Sequence, residues 1–286
     1  MKLLRYGPSG EERPAVLATD GTVFDVSGVV DDFGPAFFAV GGLDTLREAM
    51  ASRSDQFPVV DLSGHRIGAP IARPYKVLCI GLNYSDHAEE SGMPVPDEPV
   101  VFAKTTNTVV GPNDDVLLPR GGDKVDFEVE LGIVIGSEAR YLPDAAAARE
   151  VIAGYCVSHD VSERSFQLER GGQWIKGKSC ETFNPLGPWL VTRDEVPDVQ
   201  DLTLELRLNA ETQQLGSTGA MIFGVEHIVW YLSQFFVLEP GDLINTGTPA
   251  GVGIGQEPPR FLRDGDVVEL EITGLGRQRQ LCRGAS

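Results

Sequence analysis

With 286 residues, the chain is long enough to bury roughly three-quarters of its unfolded surface, so it needs no disulfide staples. A formal charge of -18 at pH 7 repels phosphate backbones and anionic headgroups, which sets aside nucleic-acid and membrane-surface roles. The apolar share of 42% and charged share of 23% are those of an ordinary globular protein. Four widely spaced cysteines with no C-x-x-C, a start without an apolar signal core and no bilayer-length run lead to the expectation of a cytoplasmic protein with reduced thiols.

In chain order, residues 1 to about 70 read as a small β-rich N-terminal domain. "KLLRYG" and "AVLATDGTVFDVS" are strands, with Asp20-Gly21 as a hairpin turn, and "LDTLREAMAS" is a short helix. "GAPIARPYK", with two prolines, is the expected linker to a larger domain over 74–286. There "KVLCIGLNY" is a buried strand, and "SDHAEESG" a short helix capped by Ser85 and ended by Gly92 and Pro94. "PVVFAK", "VLLP", "DFEVELGIVIG", "GYCVSHDVS", "LGPWLVT", "LTLELRLNA", "DLINTGT" and "DVVELEIT" follow as strands. "DAAAAREVIAGY" and "GVEHIVWYLSQFF" read as helices, the second with Val225, Ile228, Val229, Leu232 and Phe236 on one side. Many strands and few helices predict a β-rich α+β fold rather than a doubly wound sheet.

In "DFEVELGIVIG", alternation puts Phe127, Val129, Leu131, Ile133 and Ile135 on one strand face, and Asp126, Glu128 and Glu130 on the other. The plainer reading is an amphipathic strand with a solvated acidic side. The sharper one is a metal site, since carboxylates about 7 Å apart repel unless a cation lies between them. Asp160 in "SHDVSER" would complete three hard oxygen ligands if its strand lies alongside. Such a set suits Mg²⁺ or Mn²⁺, with coordination positions left for substrate and water.

His87 and Glu90, three apart on a short helix, either form a proton-taking dyad or belong to an exposed polar turn. Lys176 and Lys178 in "IKGKS" are surface lysines, or one of them meets charge developing on a substrate. Arg164 can hold a carboxylate in bidentate fashion. "NTGTPAGVGIG" lacks a P-loop ending. Its glycines allow a close backbone approach to a ligand, with Thr246 and Thr248 as donors, or make a tight turn. His65, His159 and His227 read as structural, and the absence of G-x-S-x-G disfavours a serine hydrolase.

Taken together and in order, "GLNYSDHAEE", "PVVFAK", "DFEVELGIVIG", "GYCVSHDVSER", "KGKS" and "TGTPAGVG" resemble the fumarylacetoacetate hydrolase family over about residues 76–274. The resemblance implies a mixed β-sandwich or roll as the catalytic domain, often preceded by a small N-terminal domain and usually homodimeric. It also implies Glu128, Glu130 and Asp160 as Mg²⁺ or Mn²⁺ ligands, His87 and Glu90 as the water-activating dyad, Lys178 as the catalytic lysine, and Arg164 and Thr248 as substrate contacts. Asp126 is not among the ligands. The implied substrate is a small 2-oxo acid. The implied reaction is C–C cleavage of a 2,4-diketo acid to pyruvate and a second acid. "MKLLRYGPSG", "ERGGQW" and "GPWLVTRDEVPD" are most similar to members that act on 2,4-diketo-3-deoxy sugar acids. Oxaloacetate decarboxylation and isomerisation of a 2-hydroxydiene acid are alternatives on the same residues. A metal-binding protein without activity is an alternative of another class.

Overall fold

The computed structural model describes residues 1–86 and 95–285. Its main strands are, in chain order, β1 (Lys2–Tyr6), β2 (Arg13–Leu17), β3 (Val23–Asp25), β4 (Val77–Gly81), β5 (Val100–Lys104), β6 (Val129–Ile135), β7 (Ile152–His159) and β8 (Leu190–Thr192). There follow β9 (Thr203–Leu208), β10 (Glu211–Ser217), β11 (Leu243–Asn245), β12 (Val267–Ile272) and β13 (Gly276–Gly284). A ten-stranded sheet runs β3-β2-β1-β8-β7-β6-β11-β4-β5, with the short strand Ile67–Gly68 beside β1. Its pairings are antiparallel except β11 with β4. A second sheet, β10-β9-β12-β13 with Val116–Leu118 parallel to β13, packs against the first. The fold is α+β and rich in β structure, as the pattern of short strands predicts. No helix among the described residues is long and apolar enough to cross a membrane.

Strand periodicity explains the sandwich. Phe127, Val129, Leu131, Ile133 and Ile135 join one core with Leu204, Leu206, Val268 and Leu270 of the second sheet. Past Glu130, the opposite face of β6 is apolar too: Val134 joins Leu3, Phe33, Leu46, Cys156 and Leu243 in another core. The 1–70 segment thus contributes strands and helix α1 (Gly42–Arg53), and β1 continues the main sheet by pairing with β8. The proline-containing segment is tied in as well: Ala69 and Ile71 are buried, and the Ala72 N–H donates to the Phe33 carbonyl. Cys79, Cys156, Cys180 and Cys282 are all free thiols.

Three expectations are corrected. "DFEVELGIVIG" is not one strand: Val125–Asp126 pairs with Ser162–Glu163, and β6 starts only at Val129. The break is built by Asp126, whose carboxylate accepts the N–H groups of its neighbour Phe127 (2.8 Å), of Gly253 (2.6 Å) and of Ile254 (3.1 Å). The helix over "DAAAAREVIAGY" ends early. Residues 145–148 are helical, a tight turn covers 149–151, and Ile152 begins β7, because pairing with β6 outweighs the helix-forming alanines. In helix α4 (Val225–Ser233) the four expected residues are buried, but Phe236 lies past its end and is 37% exposed. Strands β10 and β13 had no clear apolar alternation and were not expected.

The N-terminal strands carry their own acid-sensitive group. Burial works against the Asp25 carboxylate, but hydrogen bonds from Ser27 and Tyr6 and the charge of Arg13 outweigh it and hold its pKa below the ordinary value. Stability from such a depressed group is present above the unfolded value of about 3.9 and lost as pH falls through the folded value. Asp25→Asn should therefore flatten the fall in stability below about pH 4, as read from urea midpoints of mutant and parent at several pH values.

Candidate active site

Three strand ends converge. Glu130 lies on β6 opposite Ser158 of β7, two residues before Asp160, and the Asp160 N–H donates to the Glu128 carbonyl at 3.0 Å. One oxygen each of Glu128, Glu130 and Asp160 lies within 4.8 Å of the other two. None is solvated: Glu128 is 4% exposed, Glu130 1% and Asp160 0%. The solvated acidic face of the plainer reading is thereby ruled out.

The cost of burying these charges is offset by cations. Arg164, at the head of helix α2 (Arg164–Leu168), places Nη2 2.6 Å from Glu128 and Nε 2.8 Å from Asp126, and its Nη1 donates to Gln167 at 3.0 Å. Lys178, which ends helix α3 (Ile175–Lys178), donates to Glu128 at 2.8 Å and Asp160 at 2.9 Å and lies 4.9 Å over the Phe102 ring. Lys104 closes the other side, donating to Asp160 and to the Val161 carbonyl at 3.1 Å. Burial opposes the charge of Lys178, but Asp160 and Glu128 outweigh it and raise its pKa. Lys176, its partner in "IKGKS", is exposed and bonds the Arg170 carbonyl instead.

Glu130 differs. It accepts the Gly247 N–H at 2.8 Å, and burial, reinforced by the charges of Asp160 and Glu128, pushes its pKa well up. Gly247 can come this close because its φ of +94° suits glycine, and a Cβ there would lie 2.8 Å from that of Asn83. Among the described residues, four carboxylates (Asp126, Glu128, Glu130, Asp160) face three cations (Lys104, Arg164, Lys178), so the cluster is one positive charge short whenever Glu130 is ionised. The donor set fits a small divalent ion. Metal–oxygen bonds of about 2.1 Å put oxygens about 3.0 Å apart when adjacent and about 4.2 Å when opposite. Both oxygens of Glu128 and Asp160 already accept hydrogen bonds, yet each carboxylate oxygen has a second lone pair.

A cavity of about 270 Å³ opens on this cluster. Glu128, Glu130, Arg164, Lys178 and Thr248 line one part of it. Thr248 is buried, but its hydroxyl donates to the Val129 carbonyl (2.9 Å) and accepts from Gln214 (2.8 Å). Arg164 and Thr248 thus reach the cavity while fastened to the protein's own groups. Thr246, two residues earlier, is likewise fastened to β6, donating to the Leu131 carbonyl at 3.0 Å. Leu82 lines the cavity from a left-handed backbone (φ 54°), a conformation that costs a leucine about 1–2 kcal/mol. His87 and Glu90 lie outside the described residues. His159 is fully buried with Nδ1 3.1 Å from Gln280, and burial drives its pKa down to about 3, so it is a neutral core residue.

Sequence reasoning missed Lys104, which ends the apolar strand run "PVVFAK". It also missed a closed ring of fully buried side chains. Asn184 donates to Ser158, Ser158 to Asn245 and Asn245 to Asn184, each at 2.9 Å. The polar alternations in "CVSHD" and "LINTG" were the available signal. The ring ties β7 to β11 two residues ahead of Asp160 and Gly247. Asn245→Ala leaves two buried polar groups a partner short and should lower unfolding stability by roughly 2–4 kcal/mol, read as a lower urea midpoint with an unchanged slope.

The model of the fumarylacetoacetate (FAA) hydrolase C-terminal family matches residues 76–282. A Burkholderia multivorans protein bearing only the general name of a hydrolase is 52% identical over 287 residues, covering 100% of both chains. Among solved structures, a fumarylacetoacetate hydrolase from Exiguobacterium antarcticum is 36% identical, with a TM-score of 0.87 over 100% of both chains. A 2-hydroxyhepta-2,4-diene-1,7-dioate isomerase from Mycobacterium marinum is 32% identical, with a TM-score of 0.76 over 100% of this chain and 99% of that one.

Proposed function

The chain belongs to the fumarylacetoacetate hydrolase family, and from that premise we propose that it cleaves a C–C bond of a 2,4-diketo acid with a divalent cation, releasing pyruvate and a second acid. The observation that carries this reading is the buried Glu128–Glu130–Asp160 cluster, one positive charge short among the described residues when Glu130 is ionised, beside a cavity that Glu128, Glu130 and Lys178 line. These three carboxylates would hold Mg²⁺ or Mn²⁺. When bound, such an ion supplies Lewis-acid polarisation of the substrate's 2-oxo group.

The chain's own residues do the rest. His87, oriented by Glu90, takes a proton from water, and the resulting hydroxide forms the new C–O bond at C4. The Lys178 ammonium meets the negative charge that develops on the C4 oxygen. As that oxyanion collapses, the C3–C4 bond breaks, and its electron pair leaves as the enolate of pyruvate, which is protonated at C3. Arg164 holds Glu128 in place through a 2.6 Å ion pair and shapes the cavity wall, and Thr248 borders the same space.

The isomerase among the similar structures favours a second reading, in which the same residues shift a proton along a 2-hydroxydiene acid. The two separate in a panel of 2,4-diketo acids and hydroxydiene acids, followed by pyruvate release and by diene absorbance. Pyruvate release should stop with a chelator and return with Mg²⁺ or Mn²⁺. Release untouched by exhaustive chelation sinks the proposal, and diene turnover without release transfers it to the isomerase.

A further inference from the structure

We infer that the group carried beyond the 2,4-diketo unit of the substrate is uncharged and apolar: an alkyl or aryl acyl chain, not a second carboxylate or a polyhydroxylated tail. This rests on the function proposed above and names the substrate class of the same site.

The cavity has two chemically different ends. Its charged end is the carboxylate cluster with Lys178 and Arg164. The rest of the wall is Ile80, Leu82, Phe102, Leu168, Trp174 and Ile254. Trp174 and Phe102 meet edge to face at 5.3 Å. Trp174 is seated by Gly81, where a Cβ would stand 2.8 Å from the indole, so any other residue at position 81 would push the ring away. A wall of two rings and four aliphatic side chains is thus assembled from β4, β5, α2 and the loops after Arg170 and Thr248.

Among the described residues, this wall offers a polar tail no unpaired charge, and the Trp174 indole N–H is the one polar side-chain group among its six members. Both cations that line the cavity are held at its charged end by the protein's own acids, Arg164 by Asp126 and Glu128, Lys178 by Glu128 and Asp160, away from the apolar wall. The Thr248 hydroxyl is closed between the Val129 carbonyl and Gln214. Gln167 lies against Arg164 at the charged end. A distal carboxylate among these six side chains would lose its water with no cation to meet it, and the several hydroxyls of a sugar tail would lose theirs with a single indole N–H in exchange. Each methylene covered by the wall instead gains about fourfold. The preference for sugar acids that "MKLLRYGPSG", "ERGGQW" and "GPWLVTRDEVPD" suggest is therefore not matched by the wall.

The test uses the Mn²⁺-loaded full chain. First, kcat/KM is measured by pyruvate release for acetyl-, butanoyl-, hexanoyl- and benzoylpyruvate, for succinylpyruvate, and for a 2,4-diketo-3-deoxy sugar acid. Second, calorimetric Kd values are measured for straight-chain 2-oxo monoacids and for 2-oxo diacids of equal length. The expected result is a gain of about fourfold per methylene in both series, with diacid and sugar acid at least about tenfold below the apolar analogue of their size. Trp174→Ala should flatten the chain-length slope, and Leu168→Ser, at a half-exposed position, serves if that variant does not fold. Cleavage with a flat slope, with a preference for the diacid or sugar acid, or with a slope unchanged in these variants overturns the inference alone. If nothing is cleaved but oxo-acid affinity climbs with chain length, the proposed function falls and the apolar pocket stands. If affinity is flat as well, both fall.

Discussion

Glu128→Ala should lower turnover of a 2,4-diketo acid on the order of a thousandfold. Lewis-acid assistance is worth several kcal/mol, and each ~1.4 kcal/mol is a factor of ten. The same substitution should weaken Mn²⁺ binding, measured by calorimetry, because one of three anionic donors is gone. It also strips Arg164 Nη2 and Lys178 of a partner at 2.6 and 2.8 Å, and uncompensated buried charge typically costs about 3–5 kcal/mol. Glu128→Gln separates the two effects, since it keeps the volume and one carbonyl oxygen while removing the charge. Turnover lost with a preserved melting temperature marks the chemistry, whereas full turnover in either variant means that the cluster is not the centre of the reaction.

Lys178→Met should split binding from turnover in opposite directions. Turnover should fall by about 10²–10³, the usual loss when one donor to a developing oxyanion is removed. Mn²⁺ affinity should rise, by about tenfold or more. Lys178 stands within 2.9 Å of two of the three carboxylates and repels any cation placed between them, and a unit charge pair at about 4 Å is worth about 4 kcal/mol near a protein surface. The metal-free variant should melt lower than the parent and recover on adding Mn²⁺, since the ion replaces the lost charge. A variant that loses turnover and metal together would show Lys178 to be a structural brace only. In the metal-free protein Asp160 and Glu128 outweigh burial and raise the pKa of this lysine.

Much of this site could be read from the chain because its logic is local. Glu128 and Glu130 are two apart, so they share a face wherever that stretch is extended. Asp160 follows a run whose alternation marks a neighbouring strand. The amphipathic stretch at Val225–Leu232 announces its buried side for the same reason. What could not be read depends on partners far away in sequence. The strand breaks at Asp126 because of N–H groups at Gly253 and Ile254, and Arg164 turns inward because Asp126 and Glu128 wait for it 38 and 36 residues earlier. Lys104 could not be singled out because only the assembled sheet shows that its ammonium ends beside Asp160. The helix expected through Tyr155 lost its second half to a ladder with β6 that no local propensity reports.

The pairing of β1 with β8 has a consequence for anyone who would trim this chain to its family-matched part. Lys2 and Leu3 sit opposite Val191 and Leu190, and the first seventy residues cover Val134, Cys156 and Leu243. Cutting them away would leave a raw sheet margin beside a freshly uncovered apolar floor, the combination that recruits foreign strands and precipitates. A minimal version of this protein therefore needs a substitute cover for that margin before it needs anything at the cavity.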